Sequence, residues 1–152
     1  MKLSREIISF LKEQGFLIVS TIDEKGRPHN SCKGLVRISD DGKIFLLDVY
    51  RAKTFENLNR DSNISITVVD EHKFRGYCLK GKGSILDADE LDANTLKAWE
   101  DKITSRITQR LLKNVRGEKG HSRHPEIQLP QPKYMICVEV EEAIDLTPHQ
   151  LK

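Results

Sequence analysis

FLIVSTIDEKG, residues 16–26, followed by PHNSCKGLVRI, residues 28–38, decides the fold. Phe16 to Ile22 is rich in β-branched residues, and Asp23-Glu24-Lys25-Gly26 is a hairpin turn signal, so the second run returns beside the first. Toward the C-terminus, Ser39-Asp40-Asp41-Gly42 turns the chain again into a third strand, Lys43 to Asp48. An interruption at Tyr50 to Asp61 separates it from a fourth, Ile64 to Val69, and the loop Asp70-Glu71-His72-Lys73 leads to a fifth, Arg75 to Leu86. Tyr134 to Ala143 makes a last strand, which Ile144 to Leu146 can extend. A helical period appears at two main places. Ser4 caps a short opening helix with Ile7, Ile8 and Leu11 on one face and Gly15 as its stop. From Asp89 to Val115, Leu96, Trp99, Ile103, Ile107 and Leu111 step by three and four as a core-facing stripe, and Gly117 and Gly120 end it. The stretch from Gly120 to Pro132 carries two histidines and three prolines and reads as an irregular loop. Strands in hairpin succession are antiparallel, and this number curls into a small barrel. The expectation is a mainly β (α+β), antiparallel six-stranded β-barrel with flanking helices. It forms one domain, with a core at 3–86 and 134–146 and a helical insert and loop at 89–132.

Composition removes several classes of function. Across 152 residues, 25 lysines and arginines face 23 acids, for a net charge of +2. Nucleic-acid binders concentrate a basic excess, so no nucleic-acid partner is expected. No apolar run reaches the ~20 residues that span a bilayer, so no membrane role is expected. The charged stretch from Met1 to Phe10 has no signal-peptide character, which points to the cytoplasm. Cys32, Cys78 and Cys137 are too widely spaced for a zinc knuckle or a redox pair and read as reduced, mostly buried small apolar residues.

Three segments could carry chemistry. In Tyr50-Arg51-Ala52-Lys53-Thr54-Phe55-Glu56-Asn57-Leu58 a strand ends, two cations arrive and a helix begins, with Thr54 as its N-cap. First-turn N–H groups flanked by Arg51 and Lys53 suit a phosphate; the same residues also read as a charged surface corner. In Asn30-Ser31-Cys32-Lys33-Gly34, alternation puts Lys33, Leu35 and Arg37 on one side and Cys32, Gly34 and Val36 on the other. A strand glycine marks close approach by a ligand or a neighbouring backbone, and a polar strand facing water is the plainer account. Lys80-Gly81-Lys82-Gly83 breaks the fifth strand as a bulge or barrel corner rather than a dinucleotide fingerprint. The five histidines show no ligand spacing beyond His121 and His124, which fit a surface loop. Cys32 lacks any signature of a nucleophile. Asn63-Ile64-Ser65 matches a glycosylation acceptor without a route to the modifying enzyme.

Taken in order, these segments resemble the pyridoxamine 5′-phosphate oxidase-like, FMN-binding split-barrel family. The likeness runs through the opening helix, Ile22 to His29, Asn30 to Gly34, Ile44 to Asp48, the Tyr50 to Thr54 segment with Asn57-Leu58, and Tyr77 to Gly83. It implies a split barrel that pairs as a homodimer with FMN at the interface. Carried over by position, Lys53 and Thr54 match the phosphate pair, with Arg51 beside a second basic position. Asn30, Ser31, Cys32 and Lys33 match the strand lining the flavin ring, where lysines would stabilise the reduced anion. Leu47 and Asp48 match residues along the flavin, and Tyr77 and Lys80 match more loosely. The late arginine–histidine substrate signature is absent, so pyridoxamine 5′-phosphate is not the expected substrate. The resemblance implies an FMN-dependent oxidoreductase acting on a small molecule, with no general acid or base named. The alternatives are a non-catalytic flavin store or stress-response module, and a member binding deazaflavin or haem.

Overall fold

Asp23 builds the first turn. Its carboxylate accepts the N–H groups of Lys25 (2.9 Å) and Arg27 (2.8 Å), while Gly26 takes a φ of +75°, which glycine adopts without strain. The turn fixes the register of β1 (Leu17–Ile22) against β2 (Pro28–Ile38), from Leu17 opposite Lys33 to Ile22 opposite Pro28. The structure is a computed structural model that describes residues 1–48, 51–117 and 132–152. After β2 come β3 (Ile44–Leu47), α2 (Lys53–Arg60), β4 (Asn63–Asp70) and β5 (Arg75–Asp87). A 3-10 turn, Ala88–Glu90, then leads into α3 (Ala93–Val115), and β6 (Tyr134–Asp145) follows. The opening helix is α1 (Arg5–Glu13), and the Ser4 side chain caps it by accepting the Ile7 N–H. All neighbouring strands are antiparallel, and they close a barrel in the order β1-β2-β3-β6-β5-β4. None of the described helices is long and apolar enough to cross a membrane.

Alternation along the strands sorts side chains into two apolar layers. Val19, Leu46, Ile66, Leu79 and Ile136 fill the barrel, joined by Phe10 and Leu11 from α1 and Leu58 from α2. Phe45, Leu47, Met135 and Cys137 point out through the wall instead and are covered by Trp99 and Ile103 of α3. β3 and the first half of β6 are therefore buried on both faces, which is why they read as unbroken apolar runs. Among the described residues, the wall made by β1, β4, the first half of β2 and part of β5 has no such cover. Its outward side chains include Ile18, 41% exposed, beside the exposed Cys32 and the half-buried Thr67 and Cys78.

Three expectations are corrected here, and one is met. Alternation along β2 fails at Val36, where a bulge shifts the register against β3, so Arg37 lies opposite Phe45 on the outward side, apart from Lys33. The bulge expected within residues 80–83 is present at Lys80/Gly81, and β5 runs through it without interruption. Only Cys137 of the three cysteines is buried, and burial pushes its thiol up to about 11. The stripe on α3 ends early, because Leu111 is 50% exposed while Trp99 and Ile103 are buried. His121, His124 and Gly120 lie outside the described residues.

Candidate functional site

The end of β3 gathers three polar side chains in one row. Extending the register of β3 against β2 and β6 sets Asp48 opposite both Lys33 and Tyr134. Lys33 Nζ lies 2.8 Å from Asp48 Oδ1, and the Tyr134 hydroxyl donates to Asp48 Oδ2 at 3.0 Å. The pair is sheltered, with side-chain exposures of 13% for Lys33 and 4% for Asp48. Burial first, and then the Asp48 carboxylate, push the Tyr134 phenol well above its ordinary range, so it stays protonated and donating. The Phe55 ring meets the Tyr134 ring edge-on at 5.1 Å, and the Arg51 guanidinium stands 5.3 and 5.4 Å from the two ring centroids.

Beside this row lies the N-terminus of α2. Thr54 is not its cap. The helix begins at Lys53, and its N-cap is Ala52, which has no side-chain acceptor to offer. The first backbone bond into the helix runs from the Glu56 N–H to the Ala52 carbonyl (3.2 Å), so the N–H groups of Lys53, Thr54 and Phe55 precede the ladder. Thr54 was misassigned because its hydroxyl is used elsewhere: it is buried and shares a 2.9 Å hydrogen bond with Ser31 on β2. Asn57, fully buried, donates to Thr21 at 3.0 Å and locks the helix onto β1. Lys53 sits at the surface with Nζ 2.5 Å from Glu24 and 3.7 Å from Glu56, and the Glu24 bond raises its pKa.

The structure brings Ser31, Lys33, Asp48, Arg51 and Thr54 together, with Lys53 at the rim and Leu47 on the outward side of the same strand end. Asn30 and Cys32 point outward from β2, and Asn30 accepts the Ser20 hydroxyl at 2.5 Å. Lys80 also points outward, 3.3 Å from Glu142, and lines a cleft of about 650 Å³ with Ser20, Asn63 and Ser65. Tyr77 is apart from all of these. It sits inside the barrel, 6% exposed, with Phe10 edge-on at 5.2 Å and Arg75 donating to its hydroxyl. The three proposed lysines each have a carboxylate partner; among the described residues Arg51 has none, and its contacts are to rings. Sequence reasoning missed Tyr134 and Phe55. Tyr134 enters the row only through the pairing of β3 with β6, which no local pattern reports.

The row and the uncapped helix form a polar corner in which first-turn N–H groups stand beside Arg51 and Lys53, next to a sheltered, charge-balanced wall. The family model for pyridoxamine 5′-phosphate oxidase matches residues 3–144. Among solved structures, HupZ from Group A Streptococcus is 20% identical with a TM-score of 0.67, over 95% of this chain and 94% of that one. HutZ, the heme storage protein from Vibrio cholerae, is 23% identical with a TM-score of 0.55, over 95% of this chain and 94% of that one. A pyridoxamine 5′-phosphate oxidase-related, FMN binding protein from Nostoc punctiforme PCC 73102 is 13% identical with a TM-score of 0.59, over 95% of this chain and 86% of that one. At these identities the likeness is one of fold. No curated protein matches the sequence.

Proposed function

The chain belongs to the pyridoxamine 5′-phosphate oxidase family, and from that premise we propose that it is an FMN-binding redox protein working as a homodimer. One observation carries the reading. The first turn of α2 has no side-chain cap, and it stands beside Arg51 and Lys53. Uncapped N–H groups carry partial positive charge and suit a phosphate monoester, which accepts from several donors at once. Arg51 and Lys53 add full charge, and the hydroxyl pair of Ser31 and Thr54 can turn a donor toward an oxygen. The residues present therefore fit the phosphate end of FMN. FMN, when bound, supplies electron and hydride transfer through its ring.

The protein's own part is binding and electrostatics. Asn30 to Lys33, Leu47 and Asp48 would line the ring. Asp48 compensates Lys33 within the wall, which leaves little free positive charge there to favour a reduced anion. Titrating FMN into apoprotein tests the reading: flavin fluorescence falls to an end point of one FMN per chain, and an unchanged signal at micromolar protein refutes it.

A second reading is haem, favoured by the similarity to HutZ. His29 lies on β2 on the same side as Ser31 and is the described histidine nearest the site in sequence. The visible spectrum of freshly purified protein separates the two, with flavin bands for the first and a Soret band for the second.

For the homodimer we assign the uncovered wall around Ile18, Cys32 and Thr67 as the face between two copies. Its side chains are small or apolar and its charges lie at the edge, the composition expected at the centre of an interface.

A further inference from the structure

A second cleft lies on the other side of β2 from the phosphate corner, and the FMN reading plays no part in it. It has a volume of about 440 Å³ and lies between the end of α1, the bulged half of β2 and α3. Leu35, Val36, Ile38 and Ala98 give it apolar walls, and Lys102 of α3 reaches into it. Two features of the chain put that amine there. Gly34 leaves the space: a Cβ at this position would stand 3.4 Å from Lys102 Cε and 3.6 Å from Nζ. The bulge at Val36 lets Lys102 Nζ donate to the Leu35 carbonyl. No carboxylate among the described residues pairs with the amine.

The charges around it come from every packed element: Lys12 on α1, Arg37 on β2, and Asp101 and Arg106 on α3. Arg37 is already held by Asp92 at 3.1 Å and by the Thr95 hydroxyl at 3.1 Å. Burial, and secondarily Arg106, bring the Lys102 ammonium down from its usual 10.5 to about 8. Near pH 7.5, about a quarter of such amines carry a free lone pair, against roughly one in a thousand for an ordinary lysine.

We propose that Lys102 is the nucleophilic amine of a second small-molecule site, which takes a small aldehyde bearing a negative charge and holds it as an imine. The unprotonated Nζ adds to the carbonyl carbon and a C–N bond forms. The two N–H protons then leave with the carbonyl oxygen as water, giving C=N with no oxidant or reductant involved. Desolvated lysines beside other cations are the usual amines of this chemistry. With Arg37 neutralised by Asp92, Lys12 and Arg106 still outweigh Asp101, which favours an anionic ligand, and the apolar walls limit its size.

The test uses glyoxylate as the probe aldehyde, with cyanoborohydride to fix any imine as a secondary amine, followed by peptide mass mapping. At pH 7.5 the adduct forms on Lys102 at least about tenfold ahead of Lys97 and Lys113 on the same helix. Its rate reaches half-maximum near pH 8, while theirs keep climbing. Lys102→Arg retains the fold by circular dichroism and loses the fast adduct. Labelling that simply follows exposure, with Lys102 no faster than its neighbours, overturns the proposal. Equal labelling of Lys102 by neutral glycolaldehyde overturns its anionic specificity.

Discussion

Thr54 shows how a single residue is misread. Its position before an amphipathic turn suits an N-cap, and any local rule selects it. What removes it is a hydroxyl on another strand: Ser31 takes the side chain, and the cap passes to Ala52. Arg51 and Lys53 stand out because a basic pair before a helix is a local pattern, and Ser31 because it lies in a polar strand segment that ends in a glycine. Tyr134 was not, because its role depends on a partner 86 residues away. Two predictions belong at this scale. Lys53→Ala weakens FMN by about tenfold while riboflavin, which lacks the phosphate, binds as before. Glu24→Gln frees the ammonium and shifts FMN the other way. Equal loss of both ligands would show general damage rather than a phosphate contact. In the buried row, Asp48→Asn strands Lys33 without its carboxylate and destabilises the fold by about 3–5 kcal/mol. Tyr134→Phe removes one charge-assisted bond and costs about 1.5–3 kcal/mol. Urea unfolding with an unchanged m-value reads both.

At the scale of elements, turn chemistry carried most of the information. Asp23 to Gly26 and Ser39 to Gly42 each fix a hairpin from within four residues, so the strands and their pairing followed. The bulge at Val36 was not visible, because no glycine marks it and a bulge answers to the partner strand, whereas the glycines at 81 and 83 announced theirs. Gly81 is the clearest case: a Cβ there would lie 2.0 Å from the Glu139 carbonyl oxygen, so β5 and β6 meet only over glycine. Helix α2 offers a trade between stability and binding. Ala52→Ser supplies the missing cap and stabilises the protein by about 1 kcal/mol. The new hydroxyl also takes a first-turn N–H, so FMN binding weakens as Tm rises, while riboflavin is unaffected. Helix α3 carries a pH signature. Lys102 is depressed in the folded state, so the unfolded chain binds the extra proton between about pH 8 and 10.5, and stability contributed by this group rises with pH through that window. Against Lys102→Met, the wild-type Tm therefore improves from pH 8 to pH 10; a constant difference would refute the buried amine.

For the molecule as a whole, the barrel was legible and its two-layered wall was not. Counting strands gives the barrel, but β6 closing between β3 and β5, and α3 covering that side, are long-range facts. The uncovered side leads to the last prediction. On the proposed dimer, wild type sediments at about 35 kDa, twice the 17.4 kDa chain, and Ile18→Asp, which puts a charge at the centre of the bare wall, sediments as a monomer; a wild-type monomer overturns the dimer. FMN affinity falls with it if the cofactor lies between the copies. The connection from β5 to β6 has a consequence for how this chain can be rebuilt. Asp87 and Tyr134 are paired residues, and the Ala88 N–H donates to the Lys133 carbonyl at 2.9 Å. Everything from 88 to 133 is therefore, to the polymer, the loop of one long hairpin. Replacing it with a tight turn would preserve every strand neighbour, and each halving of loop length returns about 0.6 kcal/mol of closure entropy. The same excision would strip Phe45, Leu47, Met135 and Cys137 of their cover and leave a second bare wall. A shortened chain would keep its barrel and gain a new adhesive surface, free to associate through either side.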